Sequence, residues 1–249
     1  MMYRIFTLSF LLGLAGSLAA ESKFATTDWP NWRGLTSDGQ AKFVKGLPTE
    51  WSEIKNVVWK TPIPGRGHST PTLVGDRIYL ATAEEDEMYQ SVICLDKATG
   101  KPVWETRVHE GQFAVGLNKH ASHAGTAVVH DGERLYVNFV IGNQAYASAL
   151  GLDGKLLWQK PIGKYKVHQG YGSSPMVFGH IVVVKADTKI GGVICGLDKK
   201  TGREIWRQER PKLPNYTTPV VIEAAGKQQM VFCGCELVTS LDPLTGKKL

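Results

Sequence analysis

The sequence has 249 residues, of which 43% are hydrophobic and 21% charged, so it can bury a sizeable globular core. The formal net charge is +6, but the basic residues cluster in turns such as Lys97–Lys101 and Lys199–Arg203. They form no continuous basic stripe, which excludes nucleic acid as the expected partner. Beyond the first twenty residues, no stretch is long and apolar enough for a transmembrane helix.

The N-terminus has the three zones of a secretory signal. Arg4 precedes the apolar run Ile5–Leu18, and Ser17 and Ala19 are small residues suited to cleavage. An uncleaved membrane anchor is the alternative, although the run is shorter than the roughly 20 apolar residues that span a bilayer. We predict a signal peptide at residues 1–19 and export to the periplasm or the exterior.

Four cysteines are present: Cys94, Cys195, Cys233 and Cys235. Export permits disulfides, but all four lie in apolar, strand-like runs, which favours buried free thiols. Cys233 and Cys235 would point to the same face of a strand, but a metal site needs more than two ligands. The sequence therefore leaves the question of a metal open.

The strongest signal is an internal repeat. Cys94–Trp104 contains Leu-Asp-x-x-Thr-Gly followed by a tryptophan, and Gly196–Trp206 repeats that pattern. Ser240–Leu249 begins a third copy, Gly151–Trp158 is a shortened one, and Trp59 fits the tryptophan position without a preceding turn.

A second element alternates with the first. It is clearest at Ser69–Leu80 and Ser173–Val183, begins again at Thr217–Ile222, and is looser at Gly125–Val137. The repeated tryptophans are 45, 54 and 48 residues apart, and each period holds four short apolar runs separated by turn residues. We therefore predict an all-β propeller of four-stranded antiparallel blades.

The repeated tryptophans are interpreted as structural docking residues: Trp59, Trp104, Trp158 and Trp206. In the Asp-x-x-Thr-Gly turn, the aspartate caps backbone amides and the glycine adopts a positive φ. The residue two positions before each aspartate is small, as at Cys94, Gly151, Gly196 and Ser240. We expect each indole to lie over that position, wedged between blades.

The Asp-x-x-Thr-Gly-x-x-x-Trp element resembles the tryptophan-docking motif of pyrroloquinoline quinone (PQQ)-type β-propellers. Trp29–Gly34 and Gly65–Pro71 are similar to segments of PQQ-binding-like repeat proteins of exported bacterial proteomes, so the resemblance covers residues 29–249. That family includes quinoprotein dehydrogenases, which use PQQ and calcium, and non-catalytic propellers such as the scaffold lipoprotein of outer-membrane barrel assembly. This sequence lacks the adjacent cysteine pair of the dehydrogenases and the lipidated cysteine of the scaffold.

The expected organisation is a signal peptide at 1–19, a lead-in segment at 20–55 and an incomplete propeller at 56–249. From Asp242 the next tryptophan is due one position beyond Leu249, so the fourth blade should lack its outer strand. Val57–Lys60 reads as an outer strand with no inner strands before it. We therefore predict an open arc of about four blades of a larger ring, and self-association through its exposed strand edges.

Polar loops precede the four inner strands, where propeller ligands usually bind. They contain the candidate ligand-binding residues Arg66, His68, His120, His123, His168 and Tyr216. Histidine recurs in three of these loops, and it can bind a metal when neutral or an anion when protonated. The alternative is that these are ordinary polar loop residues that hydrogen-bond across the channel.

No catalytic residues are assigned, since the sequence has no phosphate-binding glycine loop, nucleophile elbow or zinc-binding helix. The leading hypothesis is an exported, non-catalytic propeller that binds a protein partner or a small ligand at its channel face. The alternative is a PQQ-dependent alcohol or sugar oxidoreductase whose remaining site lies in C-terminal sequence beyond this chain. PQQ and calcium are expected cofactors only under that alternative.

Overall fold

A computed structural model describes residues 23–41 and 45–249, and the predicted signal peptide lies outside these residues. The described part contains β-strands and no α-helix, so none of it is a helix that could cross a membrane. The strands follow one another as antiparallel neighbours in four sheets. The prediction of an all-β propeller fold is confirmed.

Each sheet is one blade, numbered here in chain order. Blade 1 consists of β1 (Thr72–Val74), β2 (Arg77–Glu84), β3 (Tyr89–Asp96) and β4 (Pro102–Glu110). Blade 2 consists of β5 (Val129–His130), β6 (Arg134–Ile141), β7 (Gln144–Gly151) and β8 (Leu156–Lys164). Blade 3 consists of β9 (Met176–Phe178), β10 (Ile181–Ala186), β11 (Gly192–Asp198) and β12 (Glu204–Arg210). Blade 4 consists of β13 (Val220–Ala224), β14 (Lys227–Gly234) and β15 (Leu237–Leu241).

The core lies between successive blades. The two middle strands of blades 1 to 3 are largely apolar and almost fully buried, because a different neighbour covers each face. That neighbour is the adjoining blade, or, on the first face of blade 1, the segment that carries Trp59 and Ile63. Cys94 and Cys195 belong to these buried layers as free thiols, as the sequence interpretation expects. Cys233 is exposed and Cys235 is half-buried, so the expectation of buried thiols is wrong for these two. Burial raises the pKa of the Cys94 thiol to about 11, so this sulfur is an inert packing group.

The repeated turn holds the tryptophan of the preceding blade. In the turn at Asp198, the carboxylate accepts the Thr201 N–H at 2.9 Å, and Gly202 has a φ of +69°. A Cβ on Gly202 would lie 2.8 Å from the Trp158 ring, so glycine is required both by the backbone conformation and by the close packing of the indole. The indole N–H donates to the Lys199 carbonyl at 3.1 Å.

The other three tryptophans make the same kind of contact. Each indole N–H donates to a carbonyl of the following turn, Trp59 to Lys97, Trp104 to Leu152 and Trp206 to Pro243. Each ring also packs against a turn glycine, namely Gly100, Gly154 and Gly246. The motif therefore joins each blade to the next.

The predicted position of the indoles is partly wrong. Trp104 pairs with Cys94 and Trp206 with Gly196, as expected, but Trp158 pairs with Ala149 and not with Gly151. The reason is the shortened turn, in which Gly154 directly follows Asp153 and the tryptophan arrives earlier. Val57–Lys60, expected as an outer strand without inner strands before it, belongs to no sheet of the described chain, so Trp59 is not paired into a complete blade, as predicted.

The four blades form an open arc, as predicted. Blade 4 has three strands. In the described chain, only the last two residues pair with the backbone of its outer edge, β15. Lys248 bridges Leu241, and the Leu249 N–H donates to the Ser240 carbonyl at 3.1 Å. Lys248 thus holds the same register to Leu241 of β15 that Pro102 of β4 holds to Leu95 of β3.

Candidate functional site

The loops that precede the inner strands all lie at one end of the arc, here called the upper end. The opposite, lower end carries the tryptophan-docking turns. The antiparallel order of the blades requires this separation, because the chain enters each inner strand at the upper end and leaves each third strand at the lower end. The candidate residues therefore share one face of the molecule.

The upper loops of successive blades contact one another. The His68 N–H donates to the Ala124 carbonyl at 2.9 Å, and the Arg66 guanidinium donates to the Lys119 carbonyl at 3.0 Å. Gly67 lets this loop lie directly on β2 of its own blade, because a Cβ there would lie 2.6 Å from the Ala81 carbonyl oxygen, and the two hydrogen bonds then reach across to blade 2. The loop of blade 1 is thereby fixed against the loop of blade 2.

The same contacts continue to blades 3 and 4. The Asn118 side-chain amide donates to the Gln169 amide oxygen at 2.7 Å. The Tyr216 hydroxyl lies 3.2 Å from His168 Nδ1 and accepts the Gln169 N–H at 3.2 Å. Four loops that are distant in sequence therefore form one continuous polar rim.

A pocket of about 210 Å³ opens in this rim, here called the mouth pocket. Its polar side chains are those of His68, Ser122, Gln169 and Tyr216, and the rest of its wall is made by Ala121, Gly125, Gly170, Tyr171 and Gly172. The small residues and glycines leave the backbone within reach of the pocket. Together with the polar side chains, the pocket therefore offers imidazole, hydroxyl and amide groups to a ligand.

The six candidate residues take different positions. His68 and Tyr216 line the mouth pocket, and His168 reaches it through its contact with the Tyr216 hydroxyl. The Arg66 guanidinium is already hydrogen-bonded to the Lys119 carbonyl, and His120 is exposed outside the pocket. His123 stacks on Phe113 with ring centroids 4.2 Å apart, and burial lowers its pKa, so it acts as a neutral packing group.

A buried charged cluster supports the loop that carries Tyr216. Lys185 and Asp187 have fully buried side chains and lie 2.9 Å apart, and Arg210 donates to the other oxygen of Asp187 at 3.0 Å. Lys185 also donates to the Asn215 amide oxygen at 2.8 Å, so the residue next to Tyr216 is held from below. Burial lowers the pKa of Lys185, and the Asp187 carboxylate opposes that shift. Sequence reasoning missed this cluster, although Lys185 within the apolar run of β10, followed by Asp187, was a visible signal.

A second cavity, of about 380 Å³, faces the channel towards the lower end. The lead-in segment forms one wall, since Trp29 bridges Leu73 of β1 and the Pro30 carbonyl accepts the His130 N–H at 2.8 Å. Inner-strand residues of blades 2 to 4, from Val129 to Val221, form the other. His130 is buried in this wall and burial lowers its pKa. No motif in the lead-in segment indicated that it pairs with the inner strands.

The described residues do not fit a PQQ–calcium site. Cys94 and Cys195 are buried in different blades, and Cys233 and Cys235 flank Gly234 at the end of β14, so no adjacent cysteine pair exists. Within residues 23–41 and 45–249, no three His, Cys, Asp or Glu side chains are grouped to hold a metal ion. The mouth pocket therefore differs from the site that the resemblance associates with dehydrogenases.

Comparison with known proteins identifies the repeat. The family model described as outer membrane protein assembly factor BamB matches residues 33–168 and 88–249. No curated protein sequence matches the chain.

Among solved structures, BamB from Moraxella catarrhalis is similar, with 17% identity and a TM-score of 0.55 over 78% of this chain and 54% of that chain. A europium-containing methanol dehydrogenase has 16% identity and a TM-score of 0.51 over 75% of this chain and 32% of that one. A quinohemoprotein alcohol dehydrogenase from Pseudomonas putida HK5 has 16% identity and a TM-score of 0.52 over 77% and 34%. The chain thus spans about half of the BamB structure and a third of each dehydrogenase. Identities this low show a shared fold alone.

Proposed function

Because the chain belongs to the PQQ-like repeat family described as outer membrane protein assembly factor BamB, we propose that it is an exported, non-catalytic propeller. It binds a protein partner or a small ligand at the upper mouth of its channel. The observation that carries the proposal is the rim itself, in which four loops join around a pocket with converging polar groups. Binding sites typically combine such a concave wall with a few well-placed polar groups.

The positions of the polar groups favour binding over catalysis. The Tyr216 hydroxyl is held by His168 and the Gln169 amide, and burial raises its pKa, so it stays protonated and offers a hydrogen bond. His68 has its backbone fixed on Ala124 while its side chain lines the pocket. Among the described residues, no carboxylate lines the mouth pocket to act as a general base beside these groups.

The test uses side-chain NMR of the histidines in the full-length protein, with inorganic phosphate as the probe. We expect the ring signals of His68 and His168 to shift together, and the signal of His180, exposed at the lower end, to stay unchanged. Tyr216→Phe should weaken the response, because it removes the hydroxyl at the rim. For a protein partner, a photo-crosslinking residue at Gln169 should form adducts in the bacterial envelope that the same residue at His180 does not.

Two results would overturn the proposal. One is a response of His180 equal to that of the mouth histidines together with equal crosslinking at both positions. The other is reduction of a dye with an alcohol or sugar after reconstitution with PQQ and calcium, which would establish the oxidoreductase alternative.

A further inference from the structure

A groove of about 870 Å³ lies at the upper end over blade 2, separate from the mouth pocket. The end of β8 and the loop after it form its floor, Lys164–Val167, and Asn143 and Gln144 of the β6–β7 turn form one side. Val115 and Gly116 from the preceding loop and Ile190 from blade 3 complete it. It shares no residue with the mouth pocket, so the two can be tested independently.

The groove is basic. Lys164 and Lys166 are its charged residues, both are exposed, and within the described part of the chain neither is in an ion pair. Tyr165 between them is buried, and its pKa is raised first by burial and then by the nearby Tyr216 and Asp187. Asp187 is already shared between two buried cations, so it does not neutralise the groove.

Apolar side chains flank the two lysines. Val115 is 78% exposed and Ile190 is 49% exposed, and both belong to the groove. Val167 is partly buried and packs on the core between blades 2 and 3, which makes it a fixed part of the floor. An apolar residue of a partner could remove Val115 and Ile190 from water, and this burial is favourable by about 25 cal/mol per Å².

The neighbouring blade carries the opposite charge at the same end. The β2–β3 turn of blade 1 contains Glu84, Glu85, Asp86 and Glu87, of which the last three are exposed. Arg107 pairs with Glu87, which leaves the turn as a whole acidic. The upper end therefore attracts an acidic segment to blade 2 and repels it from blade 1, and such an arrangement fixes both position and direction.

We propose that this groove binds an acidic, extended segment of a protein partner, with one apolar residue as an anchor. The partner's carboxylates meet Lys164 and Lys166, and its apolar residue lies between Val115 and Ile190. The side-chain amides of Asn143 and Gln144 face the same groove and can hydrogen-bond the extended backbone.

The test measures binding of a short fluorescein-labelled peptide in which glutamate alternates with leucine, by fluorescence anisotropy with the full-length protein. The matched peptide has glutamine in place of glutamate. We expect the glutamate peptide to bind more tightly, and its affinity to fall at least about tenfold when Lys164→Glu and Lys166→Glu are combined. The control is Lys101→Glu with Lys155→Glu, which makes the same change in net charge at exposed lower-end turns and should leave the affinity unchanged.

Further variants separate the contributions. Ile190→Ala should weaken both peptides, because it removes the apolar contact, whereas His68→Ala in the mouth pocket should affect neither. Equal loss of affinity in the control variant would overturn the proposal, as would equal binding of the two peptides. Tighter, lysine-dependent binding to phosphatidylglycerol vesicles would also overturn it and assign the groove to an anionic lipid surface.

Discussion

Removal of Trp158 tests whether the docking motif stabilises the joint between blades. The side chain is only 8% exposed, and its ring packs against Gly202 of blade 3 and near Tyr136 of its own blade, with ring centroids 6.1 Å apart. Trp158→Ala therefore leaves a cavity between two sheets, not a gap at the surface. Because the glycine turn is backbone, it cannot collapse far into that cavity.

The size of the effect follows from burial more than from the lost hydrogen bond. An indole buries about 150–250 Å², and truncation of a buried tryptophan typically costs about 3–5 kcal/mol. The Lys199 carbonyl also accepts from the Arg134 guanidinium and the Tyr136 hydroxyl, both at 3.2 Å, so it keeps partners in the variant. We therefore expect a loss of about 3–5 kcal/mol in the free energy of unfolding, with little added for the hydrogen bond.

Urea unfolding followed by far-UV circular dichroism measures this loss, because the signal does not depend on the removed indole. Trp51→Ala is the matched control, since Trp51 is 72% exposed and should cost less than about 0.5 kcal/mol. A loss below about 1 kcal/mol for Trp158→Ala, or equal losses for the two variants, would refute the view that the indole holds blades 2 and 3 together.

Three further predictions follow from the packing and the buried charges. Gly202→Ala should destabilise the protein more than Gly226→Ala in urea unfolding. The backbone φ is nearly the same at the two positions, +69° and +68°, but of the two only Gly202 has an indole where the added Cβ would lie. Equal losses for the two variants would count against the docking geometry. Burial lowers the pKa of His109 from 6.5 to about 4, so protonation of this ring favours the unfolded state. The contribution of neutral His109 to the free energy of unfolding should be fully present above pH 6.5 and be lost as the pH falls towards 4. A His109→Gln variant whose stability keeps the same pH slope would contradict the assignment to His109. Asp187→Asn should lower the free energy of unfolding by about 3–5 kcal/mol, because it leaves two buried cations without their carboxylate. Asp86→Asn, at an exposed position, should be nearly neutral in the same assay. A small loss for both variants would disprove the role of the cluster.

The fold could be predicted because the repeat is local. Leu-Asp-x-x-Thr-Gly fixes a turn, the tryptophan fixes the start of the next strand, and the period then sets four strands per blade. An element that depends on a distant partner was predicted less completely. Val57–Lys60 was expected as an outer strand without its inner strands, and in the described chain it belongs to no sheet, because a strand needs a neighbour.

The candidate site could be predicted only as a set of loops. Chain order shows that Arg66, His123 and Tyr216 precede inner strands, and topology then places them at one end. It does not show which side chains face a cavity, since that depends on contacts such as Phe113 under His123 and the Lys119 carbonyl beside Arg66. The basic groove was missed for the same reason, because its walls come from four separate segments.

Comparison of the blades within the chain shows which end can carry specificity. At the lower end the turns at Asp96, Asp198 and Asp242 repeat the same residues, because each must hold an indole, and a surface built this way looks alike from blade to blade. At the upper end the loops before β5 and β13 share neither length nor sequence, although the strands they enter are equivalent. Docking requires the repetition, whereas recognition of one partner requires a surface that differs around the arc. The differing loops form the mouth pocket and border the basic groove, so ligand and partner binding are both expected at the upper end.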